Sequence, residues 1–358
     1  MAGKQVVTMA VLAVLGAGAL ASAQMGQAPG QASQLKYVKA FNALWQDMDR
    51  NYSYFSLKKV NWKALGDQYR PKAAAAKSDE QFVEVLKQML ANLKDMHVWI
   101  QFKGEHISPW GHGYRLFWNA KAVSATFETD TQCGKYAIVG KTKGDGFGYV
   151  ILVDQGRASD QTVRQTVEEI RKLKDVPGFI VDLRPGAFGG SEPLARPIAE
   201  LFCTKETVYA RHKVRSGLGH EDFTKDSLRT IKGSPDAYAR PVICLIGDRC
   251  MSSGEALVQM FACLPHVTTL GDRTRGSSGN PKTFELPGLP IQVDYSRWVD
   301  MMPDGKPVEG VGIAPQVPMA LPSQAFQQKD PVWDRATLLL RQKVAQAKAV
   351  VRAPASQP

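Results

Sequence analysis

Pro241-Val242-Ile243-Cys244-Leu245-Ile246-Gly247-Asp248-Arg249-Cys250-Met251-Ser252-Ser253-Gly254-Glu255-Ala256-Leu257 is an apolar run, a turn and the opening of an amphipathic helix. A short continuous apolar run reads as a strand buried on both faces. The turn then delivers Ser252 to the first turn of a helix. Free backbone N–H groups and the positive end of the helix dipole favour an anion there. A serine hydroxyl at that place can attack a carbonyl while neighbouring N–H groups hold the oxyanion. The same letters, Ser252-x-x-Glu255, also spell a capping box, in which the serine only closes the helix. That window alone favours the cap. The rest of the chain has to supply a base and an orienting acid before the serine becomes a nucleophile.

The 358 residues are 44% hydrophobic and 22% charged, enough for a large core. Residues 1–23 read as a signal peptide: Lys4, an apolar run over 6–20, and the small-residue cleavage site Ala21-Ser22-Ala23. Cleavage after Ala23 and export, to periplasm or medium, are expected. No later stretch is long enough to cross a bilayer, so no stable membrane insertion is expected after cleavage. The formal net charge is +11, but the basic residues are scattered and no aromatic–basic repeat tracks a nucleic acid strand. Nucleic acid is therefore not an expected partner. The five cysteines include no C-x-x-C pair and the histidines no H-E-x-x-H, so neither a metal nor an organic cofactor is called for. The odd cysteine count leaves at least one free thiol in a monomer.

Residues 24–33 are rich in Gly, Gln and Ala and read as a disordered linker. Helical periodicity then runs through 34–101, in stripes such as Tyr37-Phe41-Leu44-Met48 and Phe82-Leu86-Met89-Leu93. This is an N-terminal helical subdomain. Residues 102–145 form a β-rich connecting segment with Gly, Thr and Asp turns. From 146 to 325, strands alternate with helices. Strands are predicted over 147–153, 178–183, 207–214, 242–246, 267–270 and 290–299, and helices over 163–173, 192–202 and 254–263. That alternation implies an α/β domain with a parallel-leaning sheet. A terminal helix and tail occupy 326–358.

Three features could complete the site. His97 lies where the third helix gives way to a strand, beside Asp95, and imidazole is the usual base for a serine. The other five histidines have no better setting. Phe179-Ile180-Val181-Asp182-Leu183-Arg184 leads into Pro185-Gly186-Ala187-Phe188-Gly189-Gly190, whose glycines can turn N–H groups toward a substrate. A plain strand-to-helix turn would use the same letters. Glu309 follows the turn Pro303-Asp304-Gly305 and is flanked by Gly310; a carboxylate there could orient an imidazolium.

In this order the pieces resemble the C-terminal processing (tail-specific) serine peptidases, a family that includes the tricorn core and interphotoreceptor retinoid-binding protein. The resemblance runs from about Phe41 to Val317. It is carried by Ile180 to Arg184 with Gly189-Gly190, by Ser252-Ser253-Gly254-Glu255, by Gly271-Asp272-Arg273-Thr274, and by Asp304-Gly305 through Glu309-Gly310-x-Gly312-x-x-Pro315. It implies a crotonase-like β/α sheet domain (the ClpP/crotonase kind) beside the helical subdomain. Many members insert a PDZ domain, for which the interval here is too short. One branch uses a Ser–Lys dyad, but Ser277 stands at the lysine position and Lys282 lies a few residues later. The tricorn-like branch uses a histidine and a glutamate, roles that fall by resemblance on His97 and Glu309. The nucleophile falls on Ser252, and the oxyanion donors on Ser253 with Gly189 or Gly190. The implied activity is hydrolysis of protein or peptide substrates through an acyl-enzyme. A retinoid-binding-like carrier and an esterase are the alternative readings; Cys250 at the first position of a G-x-S-x-G elbow speaks against the latter.

Overall fold

The computed structural model describes residues 29–352, positions 112 and 116 excepted. The signal-peptide reading of residues 1–23 therefore lies outside the described residues. Three helices come first: α1 (Pro29–Asn51), α2 (Trp62–Ala74) and α3 (Asp79–Leu90). The first begins inside the expected linker, so residues 29–33 are helical. Asn61 and Ser78 cap the next two, their side chains accepting from the N–H of Ala64 and Gln81. The apolar stripes all point inward, with Phe41, Leu44, Phe82 and Leu86 fully buried.

Strands β1 (Trp99–Phe102) and β2 (Glu105–Ile107) follow, then α4 (Ala120–Ser124). Next come β3 (Phe127–Cys133), β4 (Ala137–Thr142), β5 (Gly148–Leu152), α5 (Asp160–Arg171), β6 (Phe179–Asp182) and α6 (Glu192–Glu200). The chain continues through β7 (Thr207–Val214), β8 (Ser227–Ile231), β9 (Val242–Ile246), α7 (Ser253–Ala262) and β10 (Val267–Gly271). It ends with β11 (Lys282–Glu285), β12 (Ile291–Tyr295), β13 (Trp298–Met301), β14 (Val317–Pro318) and α8 (Pro331–Arg352).

Seven strands form the main sheet in the order β14-β10-β9-β6-β5-β4-β3. The pairs from β14 to β5 are parallel, and β4 and β3 add an antiparallel edge. Every residue of β5, β6 and β9 is buried, because helices cover both faces. α5, α6 and α7 pack on one face, and α8 with Val123 of α4 on the other. No PDZ domain separates the helices from this sheet among the described residues; β3 and β4, from the expected connecting segment, are strands of the sheet itself.

A four-stranded sheet, β11-β12-β1-β2, backs the N-terminal helices. Ile291, Val293 and Tyr295 share one core with Phe41, Phe82 and Ile100. The helical body is thus completed by a hairpin from near residue 290. The strand predicted over 290–299 is two strands in two sheets, since β13 pairs with β7 instead. The break falls at Ser296-Arg297, where the Arg297 N–H donates to the Gly279 carbonyl at 2.9 Å. His97, just before β1, thereby reaches Ser252 and Ser277 in the segments that follow the carboxyl ends of β9 and β10. Crevices outside those ends are where open α/β sheets place their sites.

Candidate active site

Ser252 sits at the N-cap of α7 with φ 56° and ψ −122°. For a residue with a side chain this backbone conformation is strained, and strain of this kind persists only where surroundings enforce it. The enforcement is visible. The Ser252 N–H donates to the Ser277 carbonyl at 2.8 Å, and Glu255 reaches back to the same N–H at 3.3 Å. Gly254 lets the helix start dock on the turn after β6, since a Cβ there would stand 1.7 Å from the Ala187 carbonyl oxygen. The Glu255 N–H is taken by the Ser252 carbonyl at 2.8 Å. The Ser252 hydroxyl is turned instead to Nε2 of His97, at 2.9 Å.

His97 is buried and held from behind. Its backbone N–H donates to Oδ1 of Asp95 at 2.8 Å, while Tyr52 and Ser296 donate to Oδ2 at 2.9 and 2.8 Å. Burial lowers the imidazole pKa below its ordinary 6.5; Lys58 pushes it further down, and Asp95 opposes. A neutral ring that can accept a proton is what a serine needs at neutral pH.

Glu309 lies in the same buried cluster. A carboxylate oxygen, a His97 ring nitrogen and an Asp95 oxygen lie within 4.8 Å of one another. Glu309 nevertheless makes no hydrogen bond to the ring, contrary to the sequence expectation of an orienting contact. Lys58 Nζ takes one of its oxygens at 2.5 Å, and the Ser278 N–H donates to the other at 3.0 Å. Burial and nearby Asp95 push the Glu309 carboxyl up to about 8, with Lys58 opposing. Nδ1 of His97 instead faces the Ser277 hydroxyl at 2.9 Å. The three groups take hydrogen bonds from or face backbone, hydroxyl and ammonium partners.

The glycine turn meets the nucleophile from the other side. Ser253 Oγ donates to the Gly190 carbonyl at 2.7 Å, tying the turn to the start of α7. Gly189 and Gly190 have φ of 132° and 120°. The N–H groups of Ser253, Gly189 and Gly190 have no acceptor among the described residues. Gly190, Ser252 and Ser253 line a cleft of about 460 Å³, which Gly189 does not line; Glu192, Arg196, Arg229 and Trp298 line it too.

The motif Asp182-x-Arg184 proves to be scaffold. Arg184 donates to both oxygens of Asp182 at 2.9 and 2.7 Å and to Asp330 Oδ1 at 2.9 Å, all fully buried. Sequence reasoning missed Ser277, Lys58 and the structural part of Asp95. Only Ser277 left a signal, as the residue standing where the dyad branch has its lysine. All five cysteines are free thiols, four of them buried.

Peptidase family S41 matches residues 146–319, and the tricorn protease C1 domain matches residues 34–91. A putative peptidase from Parabacteroides merdae is 26% identical over 84% of this chain and 96% of its own, with a TM-score of 0.72. CPAF complexed with lactacystin superposes with a TM-score of 0.69 at 10% identity, covering 88% of this chain and 100% of that one. The photosystem II D1 C-terminal processing protease gives 0.51 at 15% identity, over 82% and 95%. These last two show the shared fold. No curated protein matches. With a hydroxyl and an imidazole in contact, and with peptidase family S41 matching residues 146–319 beside a tricorn C1 match over residues 34–91, the chain is similar to the S41 C-terminal processing peptidases and is a serine-type peptidase.

Proposed function

We propose that Ser252 and His97 hydrolyse peptide bonds through an acyl-enzyme. The observation that carries this is the 2.9 Å contact between Ser252 Oγ and His97 Nε2, made from a strained backbone. Ser252 Oγ bonds to the carbonyl carbon as its proton passes to Nε2. The proton then returns to the amine nitrogen as the C–N bond breaks. Water repeats the sequence to release the acid. The N–H of Ser253 and that of Gly190 or Gly189 stabilise the oxyanion. Glu309 is held by Lys58 and the Ser278 N–H and lies beside the ring without touching it. A carrier that had given up chemistry would have no use for this contact at this backbone. The test is labelling by a fluorophosphonate: one adduct on Ser252 is expected, and adducts absent from Ser252 in active enzyme refute the assignment.

The lowered imidazole pKa has a direct consequence. kcat/KM is expected to fall on the acid side with an apparent pKa below 6.5. The sign follows from burial, which disfavours the imidazolium, so the ring stays a base further into acid. A pH–rate profile with its acid limb above 7 contradicts a buried His97 base.

We propose in addition that the protein is exported, residues 1–23 being removed. The support is the sequence pattern ending at Ala23. N-terminal sequencing of the mature chain should start at Gln24; an intact Met1 on active protein in the cytoplasm opposes it.

A further inference from the structure

We propose that Ser277 is the positioning residue of the catalytic histidine, doing through its hydroxyl what a triad carboxylate does by direct contact. The inference rests on the Ser252–His97 reading and deepens it. His97 has two ring nitrogens. Nε2 faces the nucleophile at 2.9 Å and Nδ1 faces Ser277 Oγ at 2.9 Å. For Nε2 to accept the Ser252 proton, the neutral ring must carry its hydrogen on Nδ1, and that hydrogen needs an acceptor in a buried site. Ser277 Oγ is the acceptor within reach. Glu309 is engaged elsewhere, by Lys58 and by the Ser278 N–H.

Ser277 is itself held at three points, which suits a group that must fix another. Its N–H donates to Glu255 Oε2 at 3.0 Å, its carbonyl accepts from the Ser252 N–H at 2.8 Å, and its side chain is buried. Glu255 also accepts from Gly276 N–H at 2.7 Å and Thr274 Oγ1 at 2.5 Å. One buried carboxyl thus gathers the 274–277 loop and the start of α7 into a single unit. The nucleophile's backbone and the histidine's orienting hydroxyl belong to that unit, so they move together. The position that carries a lysine base in dyad relatives here carries the partner of a histidine base.

The experiment compares Ser277→Ala, Ser277→Thr and Ser277→Val in the full mature chain, with thermal melts confirming that each is folded. Threonine keeps the hydroxyl and valine removes it at nearly the same shape. Expected is a loss of roughly 10- to 100-fold in kcat for alanine and valine, with KM within about twofold. Threonine should retain at least tenfold more kcat than valine. Loss of the Nδ1 acceptor should also move the acid limb of the pH profile downward, because the imidazolium loses its partner. The charged groups facing the ring, Asp95, Lys58 and Glu309, are unchanged in these variants. Equal kcat for threonine and valine, or alanine within twofold of wild type, overturns the proposal. Ser252→Ala serves as the separate control: a silent Ser277→Ala beside a dead Ser252→Ala removes only this inference. An active Ser252→Ala removes the mechanism beneath it.

Discussion

Ser252→Ala is expected to lower kcat by ~10⁴-fold or more while leaving the fold intact. The magnitude follows from the role: without Oγ there is no acyl-enzyme, and only the oxyanion donors and binding remain. The fold is spared because the hydroxyl's hydrogen bond goes to His97, whereas the backbone of α7 is closed by the Ser252 carbonyl and by Glu255. Ser252→Gly makes the sharper comparison. At φ 56° and ψ −122° glycine is at ease and serine is not, so glycine should release ~1 kcal/mol of strain. The expected pair of results is an inactive protein that melts higher than wild type. Turnover within tenfold of wild type in either variant sinks the nucleophile. A glycine variant that melts several degrees lower sinks the claim of strain.

The parts of this molecule that were legible in the sequence share a cause: they are local. β7 and β9 have the predicted bounds because apolar runs and their flanking turns are contiguous signals. The Ser252-Ser253-Gly254-Glu255 turn was legible for the same reason. His97 was found through its place at a helix–strand junction and through a family resemblance, and the pairing with Ser252 across 155 positions then appears at hydrogen-bond distance. What could not be read was set by long-range choices. The run over 290–299 looks like one strand, yet Ser296 is needed by Asp95 and the chain bends to supply it. Whether a buried carboxylate faces an imidazole or a lysine depends on which of the two the folded chain places against it. Lys58 comes from the segment between α1 and α2, 251 positions before Glu309, and no pattern in either neighbourhood announces the pair. Asp182 and Arg184 carried the opposite lesson: a charged motif beside glycines suggested chemistry, and its burial shows that it serves the scaffold.

That scaffold sets the second large effect. Arg184→Met is expected to cost ~3–5 kcal/mol at neutral pH, against a typical total stability of ~5–15 kcal/mol. Arg184 stands between two carboxylates, Asp182 at the end of β6 and Asp330 at the start of α8, and also donates to the Phe117 carbonyl at 3.1 Å. Asp330 in turn accepts from the N–H of Trp333 and of Asn119, at 2.8 and 3.0 Å. One guanidinium therefore joins the central strand, the covering helix and the segment that crosses between them. Methionine fills the space but strands two buried negative charges, and the loss comes chiefly from them. The pH dependence identifies the cause. Burial already holds the Asp182 carboxyl above its ordinary value with Arg184 opposing, and removing Arg184 raises it further. A raised carboxyl pKa means the folded form prefers the proton, so the penalty is full above the folded pKa and shrinks as pH falls toward the unfolded value near ~3.9. The gap between wild type and Arg184→Met in urea midpoints should thus narrow between pH 8 and pH 5, and adding Asp182→Asn should recover part of it at pH 8. A gap below ~1 kcal/mol, or one that widens in acid, means the guanidinium is not what holds these three elements together.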